Sequence, residues 1–139
     1  MIPNFKALID RLKINEGYKA TVYKCSEGYD TIGYGFAIKD LNMSENVASI
    51  QLAEEVAKRH LEISKRFDWY DNMPAEVQGV IIEMCYQLGI TGFSKFKRAI
   101  AHMKNKEWQL AANEMLDSLW AKQTPNRANQ LAGIIAEHG

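Results

Sequence analysis

The sequence predicts an α+β protein that is mostly α, and three observations carry that reading. Apolar residues recur at helical spacing through most of the chain, residues 19–36 switch to a β-like texture, and turn signals bracket that stretch. The 139 residues suffice for one domain with a modest core. Phe5, Leu8, Ile9 and Leu12 are spaced i, i+3, i+4, i+7, which predicts an N-terminal helix stopped by Gly17. "ATVYK", the turn signal "CSEG" and "YDTIGYG" then read as a β-hairpin.

Everything beyond the hairpin reads as helical. Ser44 is placed to cap a long helix running to about Arg66, with Val47, Ile50, Ala53, Val56, Ala57 and Leu61 on its inner face. Pro74 suits the first turn of the next helix, whose stripe is Val77, Val80, Ile81, Met84, Cys85 and Leu88 and whose stop is Gly89. Two shorter helices are expected near 95–103 and 107–116. Thr124-Pro125 reads as the cap and first turn of a last helix to about Ile135. The expected architecture is a single domain, residues 1–139. A small lobe covers about 15–60, and a helical lobe covers about 61–139 plus the N-terminal helix. A long helix joins the lobes, with a cleft between them.

Composition excludes several classes. Hydrophobic residues make up 47% and charged residues 24%, ordinary values for a globular chain. Lys+Arg and Asp+Glu are both 17, so no basic surface is available for nucleic acid. Cys25 and Cys85 are sixty positions apart, which forms neither a metal pair nor a disulfide framework and suits synthesis in a reducing cytoplasm. The N-terminus lacks the apolar core of a signal peptide, and no run approaches the roughly 18 apolar residues of a membrane span. No cofactor and no metal site is expected: His60, His102 and His138 have no ligand spacing, and "GYDTIGYG" lacks a phosphate-loop ending. Cys85 sits on an apolar stripe and reads as core, as do most of Trp69, Trp108 and Trp120. Tyr18, Tyr23, Tyr29 and Tyr34 cluster at the hairpin, where they could pack on sugar rings.

Two charges stand at the wrong ends of helices. Glu16 is an anion at a helix C-terminus, and Arg127 is a cation in a first helical turn. Each placement costs only about 0.3–1 kcal/mol, so chance is a sufficient account of either one. A shared account is that the two side chains pair across the cleft, where Glu16 would serve as a general acid.

These residues resemble a known family. "INEGYKATVYKCSEGYDTIGYG", "YQLGITGFSKF" and "WAKQTPNRA" are similar, in the same order, to segments of the phage T4-type lysozymes (endolysins), glycoside hydrolases of bacterial peptidoglycan. The most specific motif is Glu, eight residues, Asp or Cys, five residues, Thr, met here by Glu16, Cys25 and Thr31. The resemblance implies a lysozyme-like fold and a muramidase that cleaves the β-1,4 bond between N-acetylmuramic acid and N-acetylglucosamine. It implies Glu16 as the acid on the glycosidic oxygen, Thr31 as a holder of the attacking water, and Arg127 as the partner that orients the acid. Tyr86 and Gln87 fall on the aromatic-Gln pair that lines the family's cleft, and Phe36 and Ala37 fall where the other wall meets sugar. It also implies a monomer, made in the host cytoplasm and released to the wall by a holin or by lysis, with peptidoglycan as partner, no nucleic acid and no stable membrane insertion.

The departures carry information too. Cys25 stands where better-known members have Asp, and an ordinary thiol (pKa about 8.5) is only a few per cent ionised at neutral pH. Glu16, Glu27 and Asp30 nearby are expected to push that thiol higher still. Strand alternation turns Asp30 away from Thr31, which leaves Glu27 as the better understudy carboxylate. Phe36 replaces a frequent histidine, Leu119 replaces a frequent arginine, and zero net charge is unlike the strongly basic relatives. Two alternatives stand beside the muramidase: a lytic transglycosylase, which needs only one carboxylate and forms 1,6-anhydro products, and a wall-binding module with a dead site.

Overall fold

The computed structural model describes residues 4–138. It consists of a small antiparallel sheet and seven α-helices, the lysozyme-like α+β arrangement expected from the sequence. Close contacts divide the chain into two compact units, with the boundary between Ala48 and Ser49. That boundary and the one drawn from the sequence near residue 60 both fall inside the same long helix.

In the first unit, helix α1 (Lys6–Glu16) ends where Gly17 adopts φ +70° and donates its N–H to Lys13 O at 3.0 Å. Strands β1 (Lys19–Lys24), β2 (Asp30–Gly33) and β3 (Phe36–Ala37) follow in meander order. The sequence reading stopped at a hairpin. The third strand is only two residues long, too short for an alternation signal, and it pairs through Thr31 with Ala37 and Ile32 with Phe36. A 3-10 turn, Ile38–Asp40, completes the strand region.

Helix α2 (Glu45–Arg66) begins as expected, with Ser44 Oγ accepting from Val47 N at 3.2 Å. Its predicted inner face is corrected by the structure. Val47, Ile50, Ala53, Val56, Ala57 and Leu61 are all exposed, and Ile63 is the one buried residue of the helix. A stripe at helical period fixes which face is apolar, but it does not fix that anything covers that face.

The core lies in the second unit. Helix α3 (Ala75–Ser94) buries Val77, Val80, Ile81, Met84 and Cys85 of the stripe read from the sequence and leaves its sixth residue, Leu88, half-buried. Gly89 stops the first helical run, as expected: at φ +77° and ψ 160° its backbone is not helical, and a second run of helical turns continues from there to Ser94. Helices α4 (Lys97–Lys104) and α5 (Trp108–Leu116) bury Ala99, Met103, Trp108, Ala111, Ala112 and Met115. A short α6 (Leu119–Gln123), capped by Ser118 Oγ accepting from Ala121 N at 3.1 Å, was not legible at five residues. Helix α7 (Pro125–Ala136) closes the core with Ala128, Leu131, Ala132 and Ile135. Thr124 precedes it without a side-chain cap, because its hydroxyl donates back to Trp120 O at 3.1 Å.

Candidate active site

The site is built on the strands of the first unit. In the β1–β2–β3 register Thr31 stands opposite Tyr23 on one side and Ala37 on the other. Directly paired residues share a face of the sheet, so the three form a row. That row lines a pocket of about 350 Å³, together with Glu16, Cys25 and Gly35. Alternation sends Asp30 to the other face, where its carboxylate pairs with Lys24 Nζ at 2.7 Å. Phe36 shares that other face and is not among the lining residues. Its ring covers Gly33 so closely that a Cβ there would lie 2.8 Å from Phe36 Cδ2.

Glu16, the last residue of α1, reaches the pocket across Gly35. A Cβ on Gly35 would lie 2.7 Å from Glu16 Oε2, and Gly35 has φ +79°. The left-handed backbone demands glycine, and the carboxylate packs against the bare backbone that glycine leaves. The contact itself is not visible in the sequence.

The "CSEGY" turn supplies the rest. Cys25 N donates to Tyr29 O at 3.0 Å and Gly28 N to Cys25 O at 2.9 Å, with Gly28 at φ +85°. Thr31 Oγ1 donates to the same Tyr29 O at 2.9 Å, and Thr31 is 3% exposed, the one buried polar residue among the described ones. The hydroxyl hydrogen is thereby committed, and its lone pairs are left to accept. The Cys25 thiol titrates below its ordinary value. Hydrogen bonds from the backbone at Tyr29 and at Glu27 favour the thiolate most. This corrects the expectation that neighbouring carboxylates would push the thiol up. Repulsion from Glu27 is present, but it is outweighed by donors that the turn aims at the sulfur. Burial does push the other thiol, Cys85, up to about 12, which keeps it an inert core group.

Sequence reading did not single out Lys39 and Asp40, which line the same pocket, and it placed Glu27 only as an understudy. Lys39 and Asp40 enter because the 3-10 turn folds directly after Ala37. Among the described residues no group of three or more His, Cys, Asp and Glu is placed to hold a metal ion.

The second unit carries the remaining predicted residues. Tyr86 and Arg127 line a pocket of about 340 Å³ with Leu52, Val56, Ile82 and Glu83. The Arg59 guanidinium lies 4.6 Å from the centre of the Tyr86 ring. Gln87 is not in that pocket, and its Oε1 accepts from Trp120 Nε1 at 2.9 Å. The carboxylate set against Arg127 is Glu83, with Arg127 Nε donating to Glu83 Oε2 at 2.8 Å. That partner offsets the unfavourable place of a cation in the first turn of α7. The signal was available in the sequence, since Glu83 is a lone charge inside the apolar run Val80–Tyr86.

Comparison with known proteins shows the family. Residues 13–137 match the family described as "Phage lysozyme". "Probable T4-type lysozyme 1" of Dictyostelium discoideum is 30% identical over 156 aligned positions, covering 91% of each chain. "Probable T4-type lysozyme 2" of the same organism is 29% identical, covering 93% of each. The "Pre-baseplate central spike protein Gp5" of Enterobacteria phage T4 is 26% identical over 96% of this chain but only 28% of the spike protein. The chain belongs to the phage lysozyme family, whose members are glycoside hydrolases acting on peptidoglycan. No helix among the described residues is long and apolar enough to cross a membrane.

Proposed function

We propose that the protein is a muramidase that hydrolyses the β-1,4 bond between N-acetylmuramic acid and N-acetylglucosamine, with Glu16 as general acid and Cys25 and Thr31 as the water site. The observation that carries this reading is the convergence of these three side chains on one pocket, with Glu16 seated on Gly35. Thr31 Oγ1 has spent its hydrogen on Tyr29 O, so it can only accept from a water, which orients that water's lone pair outward. Glu16 gives its proton to the leaving glycosidic oxygen as the C–O bond breaks. The water oxygen bonds to the anomeric carbon, and its proton passes to Cys25, whose backbone donors keep sulfur basic at lower pH than an ordinary thiol. Direct attack by water in a single displacement inverts the anomeric centre. By the family resemblance Arg127 orients the acid and Tyr86, Gln87, Phe36 and Ala37 meet substrate. Of the last two, Ala37 lines the Glu16 pocket, and Phe36 would contribute from the other face by fixing the turn at Gly33. The protein acts as a monomer at the wall, reached through a holin or lysis.

Mass spectrometry of digested peptidoglycan tests the reading. Hydrolysis leaves reducing ends, whereas a transglycosylase leaves 1,6-anhydro ends lighter by one water. Anhydro ends would replace the muramidase reading. No cleavage in a zymogram, with Glu16→Gln as the control, would leave only a wall-binding module.

A further inference from the structure

Lys39 has no part in the chemistry just described, yet it is the one cation among the residues lining the pocket of Glu16, Cys25 and Thr31. Glu16, Glu27 and Asp40 line the same pocket, so three carboxyl groups face one ammonium. Even so, Lys39 pairs with none of them. Among the described residues no carboxylate oxygen lies within 4.0 Å of its Nζ, whereas Lys24 on the other face is paired with Asp30 at 2.7 Å. The Lys39 ammonium instead sits over the Tyr29 ring, 3.8 Å from its centre. A ring face attracts an ammonium without exhausting its three N–H donors, so the charge is held in place and remains free to bind an anion. Tyr29 also supplies the carbonyl that holds Cys25 N and Thr31 Oγ1. One residue therefore registers the cation to the atoms of the water site.

We infer that Lys39 recognises a carboxylate on the glycan bound beside Glu16 and makes the enzyme selective for anionic over neutral strands. This rests on the muramidase reading above. Peptidoglycan offers such a carboxylate in two places, the lactyl group of a peptide-free muramyl residue and the stem peptide. A chain of zero net charge has no general attraction for either, and the pocket's other charged side chains are all acidic. A single placed cation is what would let an anionic strand enter.

The test measures kcat and KM of wild type, Lys39→Gln, Lys39→Arg and Tyr29→Leu, each first checked for an unchanged unfolding temperature. Three substrates are compared: peptide-free glycan strands, the same strands with lactyl carboxylates converted to neutral amides, and peptide-bearing peptidoglycan. Lys39→Gln is expected to raise KM on the peptide-free strands roughly three- to five-fold, the scale of a solvent-exposed ion pair. KM on the amidated strands should not move, and Lys39→Arg should restore most of the loss. Tyr29→Leu keeps the carbonyl but frees Lys39, so it should shift KM in the same direction. A rise confined to peptide-bearing peptidoglycan also supports the inference and places the carboxylate in the stem. Equal KM for wild type and Lys39→Gln on all three substrates, or an equal loss on the amidated strands, overturns it. Failure of wild type to cut any of the three overturns the muramidase reading itself, and that result is distinct from a change in selectivity.

Discussion

The two units are built on different principles. Every buried hydrophobic residue described lies between Ile63 and Ile135, in the second unit, while among the described residues of the first unit only Thr31 is buried. The second unit holds its shape by packing apolar helix faces. The first holds its shape by backbone: glycines at positive φ, a three-stranded ladder and a turn whose carbonyl accepts two bonds. The proposed acid and water site sit in the unit with little core, where exact placement depends on turns and not on bulk. Damage to the two units should therefore show in different measurements.

The largest expected effect is on activity alone. Glu16→Gln should lower wall lysis by on the order of 10²–10⁴-fold, the usual worth of a positioned acid, with unfolding temperature unchanged or slightly raised. Turbidity loss of peptidoglycan beside a thermal melt checks both, and lysis near wild-type level would remove Glu16 from the acid role. On the packing side, Phe93→Ala deletes a side chain with 0% exposure and should cost about 3–5 kcal/mol. Ile14→Ala in the first unit, where the side chain is 83% exposed, should change stability by under about 0.5 kcal/mol. Urea unfolding of the two variants compares them directly, and equal losses would break the contrast between the units.

Gly35→Ala joins both kinds of damage. The left-handed backbone should cost about 1–2 kcal/mol, and the new methyl must displace the Glu16 carboxylate. Activity should fall by on the order of 10²-fold, beyond what lost stability explains. A variant that melts lower but lyses normally would show that Glu16 does not need its seat on Gly35.

Cys25 sharpens the comparison by pH. Its alkylation rate should rise with a midpoint below that of an ordinary thiol, because the backbone donors at Tyr29 and Glu27 favour the thiolate. A group whose folded pKa is depressed adds stability above its unfolded pKa and loses it as pH falls through the folded value, so this contribution belongs to the alkaline side. Cys25→Ser, whose hydroxyl is not ionised at neutral pH to take the water's proton, should lose most of the lysis, and Cys25→Asp should be active. Death of both would mean that the chemistry requires sulfur.

The smallest effect belongs to Glu83 and Arg127. Both side chains are more than a third exposed, so a double-mutant cycle with Glu83→Gln and Arg127→Ala should give a coupling of only about 0.2–1 kcal/mol. Strict additivity in urea unfolding would mean that the 2.8 Å bond contributes nothing in solution.

The sequence by itself determined the helical stripes that became the core, the Gly17 and Gly89 stops and the β-region, while Glu16, Cys25 and Thr31 were grouped by the family motif. Periodicity and turn chemistry are local properties, so they survive without knowledge of neighbours. The tertiary structure alone decided that the stripe of α2 stays exposed, that helical turns resume beyond the Gly89 stop, and that Glu83 meets Arg127. It also decided that Lys39 lies over Tyr29 and that backbone donors lower the Cys25 thiol against its acidic neighbours. Each of these depends on where an N–H, a ring or a second helix points in space. Residue identity sets which groups are available, but their direction comes from register and packing that no local pattern encodes.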